Sequence, residues 1–199
     1  MHQESDTRDD EEWTLVRLRE FDNGKFDRGR SRFVEILWLL LDTVLVRSRI
    51  PGYAHRRLII RAFGARVGKG VLIKPGVRIK FPWRLEIGNN SWVGEDVWID
   101  NLASVQIGAN CCISQGASIC TGNHDWAAPA FDLIVKPIKI ADGAWIAAKS
   151  VVGPGVRVGE GAVLSMGSVA KSDMASWGIY QGIPALLLKK RVIRSVEDQ

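Results

Sequence analysis

The chain has 199 residues, 46% of them hydrophobic, with a formal net charge of +5 and a sequence pI of about 9.3. That suits one domain with an appendage and supports a real core. Three cysteines (Cys111, Cys112 and Cys120), odd in number and without a C-x-x-C pair, speak against a disulfide framework and for a reduced, cytosolic setting.

Residues 1–32 form a polar extension. Its first 12 residues are acidic and expected to be disordered, and Gly24 and Gly29 are expected at turns. No charged start followed by an apolar stretch is seen, so no secretory signal is expected. Residues 33–66 read as a helical segment: one helix over 33–49, a stop at Ile50-Pro51-Gly52, then a short helix over 53–63. The apolar run Ile36 to Val46 is too short to span a bilayer and carries Asp42. Arg28, Arg30, Arg32, Arg47 and Arg49 flank it. Two placements stay open: packing on the protein or a partner chain, or a peripheral position on an anionic membrane.

From Val67 an aliphatic residue returns at every sixth position: Val67, Ile73, Ile79; Ile87, Val93, Ile99; Ile107, Ile113, Ile119. The series resumes as Ile140, Ile146, Val152, Val158, Leu164 and Ala170. A period of six fits neither a helix nor one long strand. It fits short strands and tight turns wound as a solenoid, three hexads to a triangular coil. Small or β-branched residues four positions on, such as Val71, Ser91, Ala117 and Ser150, strengthen the pattern. An extra pair recurs at one corner, as Leu85-Glu86, Val105-Gln106 and Ile138-Lys139. The predicted solenoid runs over 67–175, with a C-terminal segment at 176–199.

The pattern breaks once, directly after His124. Residues 125–137 leave the coil as an inserted loop containing Trp126, Pro129, Phe131 and Pro137. An insertion that long in a regular solenoid points to function. His2 lies in the polar tail and His55 in the basic segment, so neither competes with His124.

These hexads resemble those of the hexapeptide-repeat acyltransferases, over roughly Val67 to Arg191. Ile79 to Trp83, Glu95 to Leu102, Cys112 to Ala117, and His124-Asp125 through Pro137 are similar to the colanic acid biosynthesis O-acetyltransferases. The resemblance implies an all-β fold, a left-handed parallel β-helix solenoid behind an N-terminal helical segment. It implies acetyl-CoA as donor, no required metal, and a homotrimer with clefts shared between subunits. His124 would be the catalytic base, since a neutral imidazole can take an alcohol's proton near working pH. Asp100 and Asn101, with Trp126 and Phe131 of the loop, would meet a saccharide acceptor. Trp145, Ala147 and Ala148 would line the donor side, with an amide near Ala148 as oxyanion donor. Pro184, Lys189 and Lys190 would meet the coenzyme at the closing segment. Met166 stands where many relatives have a small residue, and Lys171 is displaced by one position from the usual phosphate-binding lysine.

The implied activity is transfer of acetyl to a sugar hydroxyl in polysaccharide or glycolipid assembly, in the cytoplasm or at the inner membrane face. An amine acceptor, an acyl-carrier-protein donor and a non-catalytic scaffold stay open as rivals. A γ-class carbonic anhydrase shares the coil but needs three zinc-bound histidines, and two of the three here lie outside it. No motif supports a nucleic-acid partner.

Overall fold

The computed structural model describes residues 14–24 and 26–194. The expectation of disorder over residues 1–12 lies outside the described residues.

The hexads wind into a parallel β-helix with three faces. The first face stacks Arg66–Val67, Leu85–Ile87, Val105–Ile107, Ile138–Ile140 and Arg157–Val158. The second stacks Leu72–Ile73, Trp92–Val93, Cys112–Ile113, Trp145–Ile146 and Val163–Leu164. It is closed by Gly178–Gly182 and the antiparallel strand Ala185–Lys190. The third stacks Arg78–Ile79, Trp98–Asp100, Ser118–Cys120, Val151–Val152 and Val169–Ala170.

Every hexad aliphatic sits on its counterpart one coil on: Ile73 on Val93, Ile99 on Ile119, Ile87 on Ile107. Each fully buried isoleucine contributes roughly 1.5–3 kcal/mol through surface removed from water. The extra pairs fit this scheme, because they lengthen the first-face strands and bury Leu85, Val105 and Ile138 in a second inward row.

The corners explain the small residues. Ser91 is fully buried, and its hydroxyl donates to Gly108 O and accepts from Cys111 N. Corner residues with positive φ include Asn90, Asp96 and Asn110, the residue types that best tolerate that conformation after glycine. At Gly88 the constraint is contact instead, since a Cβ there would stand 2.5 Å from Ala109 N of the next coil.

Two helices cover the start of the coil. Helix α1, Arg32–Leu41, begins where the Ser31 hydroxyl accepts from Val34 N. Its buried Trp38 donates its indole N–H to Ile79 O at 2.9 Å, which ties the helix to the third face. Helix α2 is Ala54–Ala62. Trp38, Val46 and Ile60 join the same core as Val71 and Ile73.

The helix expected over 33–49 runs from Arg32 to Val46 and changes its winding on the way. The α-helix stops at Leu41 and widens into a π-turn over Asp42–Val46, closed by Arg47 N donating to Asp42 O. The wider turn lets Arg47 reach back to the Asp42 carboxylate, which is buried, at 2.6 Å. The segment after it is organised by the buried Arg56, whose guanidinium donates to the carbonyls of Val46, Ser48, Ile50 and Gly52. Loss of solvation on burial pulls its pKa down.

Asp42 gives the fold a pH dependence. Burial pushes its carboxyl up to about 6, against the opposing pull of Arg47 and Arg78. Folding therefore favours the protonated acid. This stabilisation is complete below the unfolded value near 4 and is lost as pH rises through about 6. The cost at neutral pH is at most roughly 3 kcal/mol. In thermal melts at pH 5 and pH 7, the wild-type chain should lose more stability across the interval than Asp42→Asn. Equal pH dependence in both would contradict the burial argument.

Candidate active site

The site grows from the third face at one corner of the coil. After Ser118–Cys120 the chain turns at Thr121, which is buried. Its hydroxyl donates to Asp100 O at 3.0 Å and accepts from Ala103 N at 2.9 Å. Strand Gly122–His124 then leaves the coil and pairs antiparallel with Leu133–Val135, with His124 opposite Leu133. The expected loop over 125–137 is thus the tip and returning strand of a hairpin, and His124 ends its outgoing strand.

The hairpin tip fixes the imidazole. Phe131 has φ of 54° and faces its carbonyl to His124 Nδ1 at 2.8 Å. A carbonyl only accepts, so Nδ1 carries a proton and donates it, and in the neutral ring the lone pair lies on Nε2. The Phe131 ring stacks on the imidazole with centroids 4.2 Å apart and planes 7° apart. Asp125, the adjacent acid, does not orient the ring; its carboxylate accepts from Ala127 N within the tip.

A residue absent from the sequence reading completes the clamp. Phe21 packs against His124 on another side, with centroids 5.5 Å apart. The extension that carries it is held to the hairpin by Arg17 N donating to Pro129 O at 2.7 Å. Phe21 lies in a polar, aperiodic stretch, and no sequence signal marks its contact.

The acceptor candidates separate. Asp100 ends a third-face strand, with Lys80 Nζ 3.2 Å from Oδ1 and the Cys120 thiol donating to Oδ2. Burial and the Asp100 charge push the Cys120 pKa up, so this sulfur stays a thiol. Asn101 is corrected as an acceptor contact. It is fully buried, its Oδ1 accepts from Phe81 N at 2.9 Å, and its Nδ2 donates to Phe81 O at 2.7 Å. Both ends of the amide are spent on joining adjacent coils. Trp126 stands exposed on the hairpin tip.

The donor candidates lie elsewhere on the prism. Trp145 is on the second face, partly exposed, its indole donating to Ser114 Oγ at 2.9 Å. Ala147 is buried and its amide donates to Leu164 O. Ala148 stands at the corner between second and third faces. Its carbonyl accepts from Gly167 N, and its own amide has no partner among the described residues. The exposed Met166 occupies the same corner one coil on, as the pairing of Ile146 with Leu164 requires. Lys171, Pro184, Lys189 and Lys190 are exposed beyond it. Arg191 is engaged in the fold, donating to the carbonyls of Gly143 and Gly161.

Within one chain, then, His124 and Ala148 stand at different corners with the third face between them. Among the described residues no three histidine, cysteine or acidic side chains gather as metal ligands.

The chain is similar to known proteins along most of its length. It is 36% identical over 167 residues to the "Putative colanic acid biosynthesis acetyltransferase WcaF" of Escherichia coli (strain K12), covering 84% of this chain and 92% of that one. It is 27% identical over 147 residues to the galactoside O-acetyltransferase of the same organism, covering 72% and 70%. A solved hexapeptide-repeat acetyltransferase of Vibrio cholerae O1 biovar eltor, complexed with acetyl coenzyme A, matches with a TM-score of 0.77 at 22% identity, over 88% of this chain and 98% of that chain. No family model matches the chain. The solved neighbours are left-handed β-helix acetyltransferases, and the coil is of that fold class. The chain belongs to the hexapeptide-repeat acetyltransferase family.

The two neighbours Asp100 and Asn101 should respond differently to substitution. Asn101→Ala leaves a buried N–H and carbonyl of Phe81 unpaired and should cost roughly 1–3 kcal/mol, read as a lower urea midpoint. Asp100→Asn should leave that midpoint nearly unchanged.

Proposed function

We propose that the chain is an O-acetyltransferase that moves acetyl from acetyl-CoA to a saccharide hydroxyl, in polysaccharide or glycolipid assembly. The observation that carries this is His124, whose Nδ1 is engaged by Phe131 O and whose Nε2 has no partner among the described residues. Nε2 takes the hydroxyl proton as that oxygen attacks the thioester carbonyl. The oxyanion of the tetrahedral intermediate is met by an unpartnered amide, for which Ala148 is the candidate. Collapse expels the coenzyme thiolate, which recovers the proton from the imidazolium. The products are an acetyl ester and free coenzyme A, with no acyl-enzyme. Asp100, Trp126 and Phe131 serve the acceptor, and Trp145, Met166, Lys171, Pro184, Lys189 and Lys190 the coenzyme.

The separation of His124 from Ala148 within one chain supports a homotrimer whose clefts join one copy's imidazole to a neighbour's donor corner. The faces offer surface for such contacts, since Trp92, Trp98 and Trp145 are all more than 40% exposed. Three free cysteines agree with a reducing, cytoplasmic setting. No helix among the described residues is long and apolar enough to cross a membrane.

Thiol release from acetyl-CoA, measured over a panel of saccharide acceptors, should fall at least about a hundredfold in His124→Ala. The thermal melt should move little, because the residue stands on a hairpin outside the core. Wild-type turnover in the variant would remove the assignment.

Sedimentation equilibrium of the active protein should give three times the chain mass of 22.0 kDa. An active monomer would refute the shared cleft.

A further inference from the structure

Helix α1 is apolar on both sides. Its inner side carries Trp38, followed through the π-turn by Asp42 and Val46, and packs on the coil. Its outer side carries Phe33, Ile36, Leu37, Leu40 and Val44, spaced as one stripe and between 40% and 75% exposed. Ile50 and Leu58 are exposed as well. A helix apolar all round belongs in a buried setting. An element that caps a solenoid needs a polar outer face to stay soluble. This cap breaks that rule, so its outer face requires a cover.

The charges select the cover. Between residues 26 and 49 stand five arginines and three carboxylates. Arg28, Arg30 and Arg32 lie at one end of the stripe, and Arg47 and Arg49 at the other. Glu35 and Asp42, two of the three carboxylates, are already spent on Arg28 and Arg47. A second copy laid along the stripe would bring arginines toward arginines in either orientation, although Glu95 and Asp96 line one cleft with Arg47 and Arg49. A surface that is apolar inside and negative at its rim satisfies both ends at once. The α1 and π-turn stretch of fifteen residues, roughly 22 Å long, lies flat and does not cross.

We propose that the outer face of α1 docks the enzyme on an anionic phospholipid bilayer. Phe33, Ile36, Leu37, Leu40 and Val44 enter the acyl boundary, and Arg30, Arg32 and Arg49 meet lipid phosphates. This surface is separate from His124 and does not rest on the transferase reading.

Flotation of the full chain with vesicles tests it. Binding to phosphatidylcholine vesicles containing about 30% phosphatidylglycerol should exceed binding to pure phosphatidylcholine by roughly tenfold, and should weaken in about 0.5 M NaCl. Ile36→Gln with Leu40→Gln should abolish flotation. Arg30→Gln with Arg32→Gln should weaken it and reduce its salt dependence. All four residues are exposed, so unchanged thermal melts and unchanged oligomer mass are the accompanying result. His124→Ala should float like wild type, whatever its activity. Absence of flotation with the anionic vesicles overturns the proposal. So does an Ile36→Gln, Leu40→Gln variant that floats normally while its oligomer dissociates, because the stripe would then be a contact between copies.

Discussion

The molecule depends on register between coils. A strand of two or three residues cannot hold itself, and here each is held by the strands before and after it. Ile107 pairs with Ile140 although thirty-three residues separate them, and Ile140 pairs with Val158 after eighteen. The inserted hairpin therefore leaves the stack in phase. A slip by one residue would turn the inward aliphatics to solvent on every face above it. That penalty, repeated over several coils, makes the prism a rigid mount for whatever projects from its corners.

The hairpin uses this rigidity. Its root is Thr121, fully buried and bonded to the preceding coil at both Asp100 and Ala103. Its tip is held by its own turn bonds and by the strap that carries Phe21. The left-handed backbone at Phe131 is strained for a bulky side chain. That strain presents a carbonyl to His124 Nδ1 and lays a ring against the imidazole in one step. A histidine on a free loop would sample both tautomers and many rotamers; the neutral form of this one is held to the tautomer with its proton on Nδ1.

The hexads and the break after His124 were legible because each is a one-dimensional signal. The period of six reports which residues face inward, and an interruption reports where the chain leaves the stack. What the period could not report was side-chain pairing. Asn101 reads as a polar corner residue beside Asp100, yet its amide is consumed by Phe81 one coil earlier. Ala147 and Ala148 are identical and adjacent, yet among the described residues only the first has its amide bonded, and only the first is buried. Phe21 reaches His124 from outside the periodic region altogether. The π-turn at Asp42 escaped for a different reason: apolar spacing continues smoothly through it, and only the buried Asp42–Arg47 pair reveals the wider winding.

A solenoid also has two ends, and each exposes the edges of its sheets. At the far end the second face is finished by the antiparallel strand Ala185–Lys190, so its last parallel strand is not left open. At the near end α1 and α2 lie over the first coil and supply Trp38, Val46 and Ile60 to its core. An edge cover needs only one apolar face. The second apolar face of α1 contributes nothing to covering the coil, and exposing it to water is costly. Buried arginine at Arg56 and the Asp42–Arg47 pair hold the segment in place by polar bonds to its own backbone and side chains. The cap is thus anchored independently of its outer stripe, which leaves that stripe available for contact without loosening the coil beneath it.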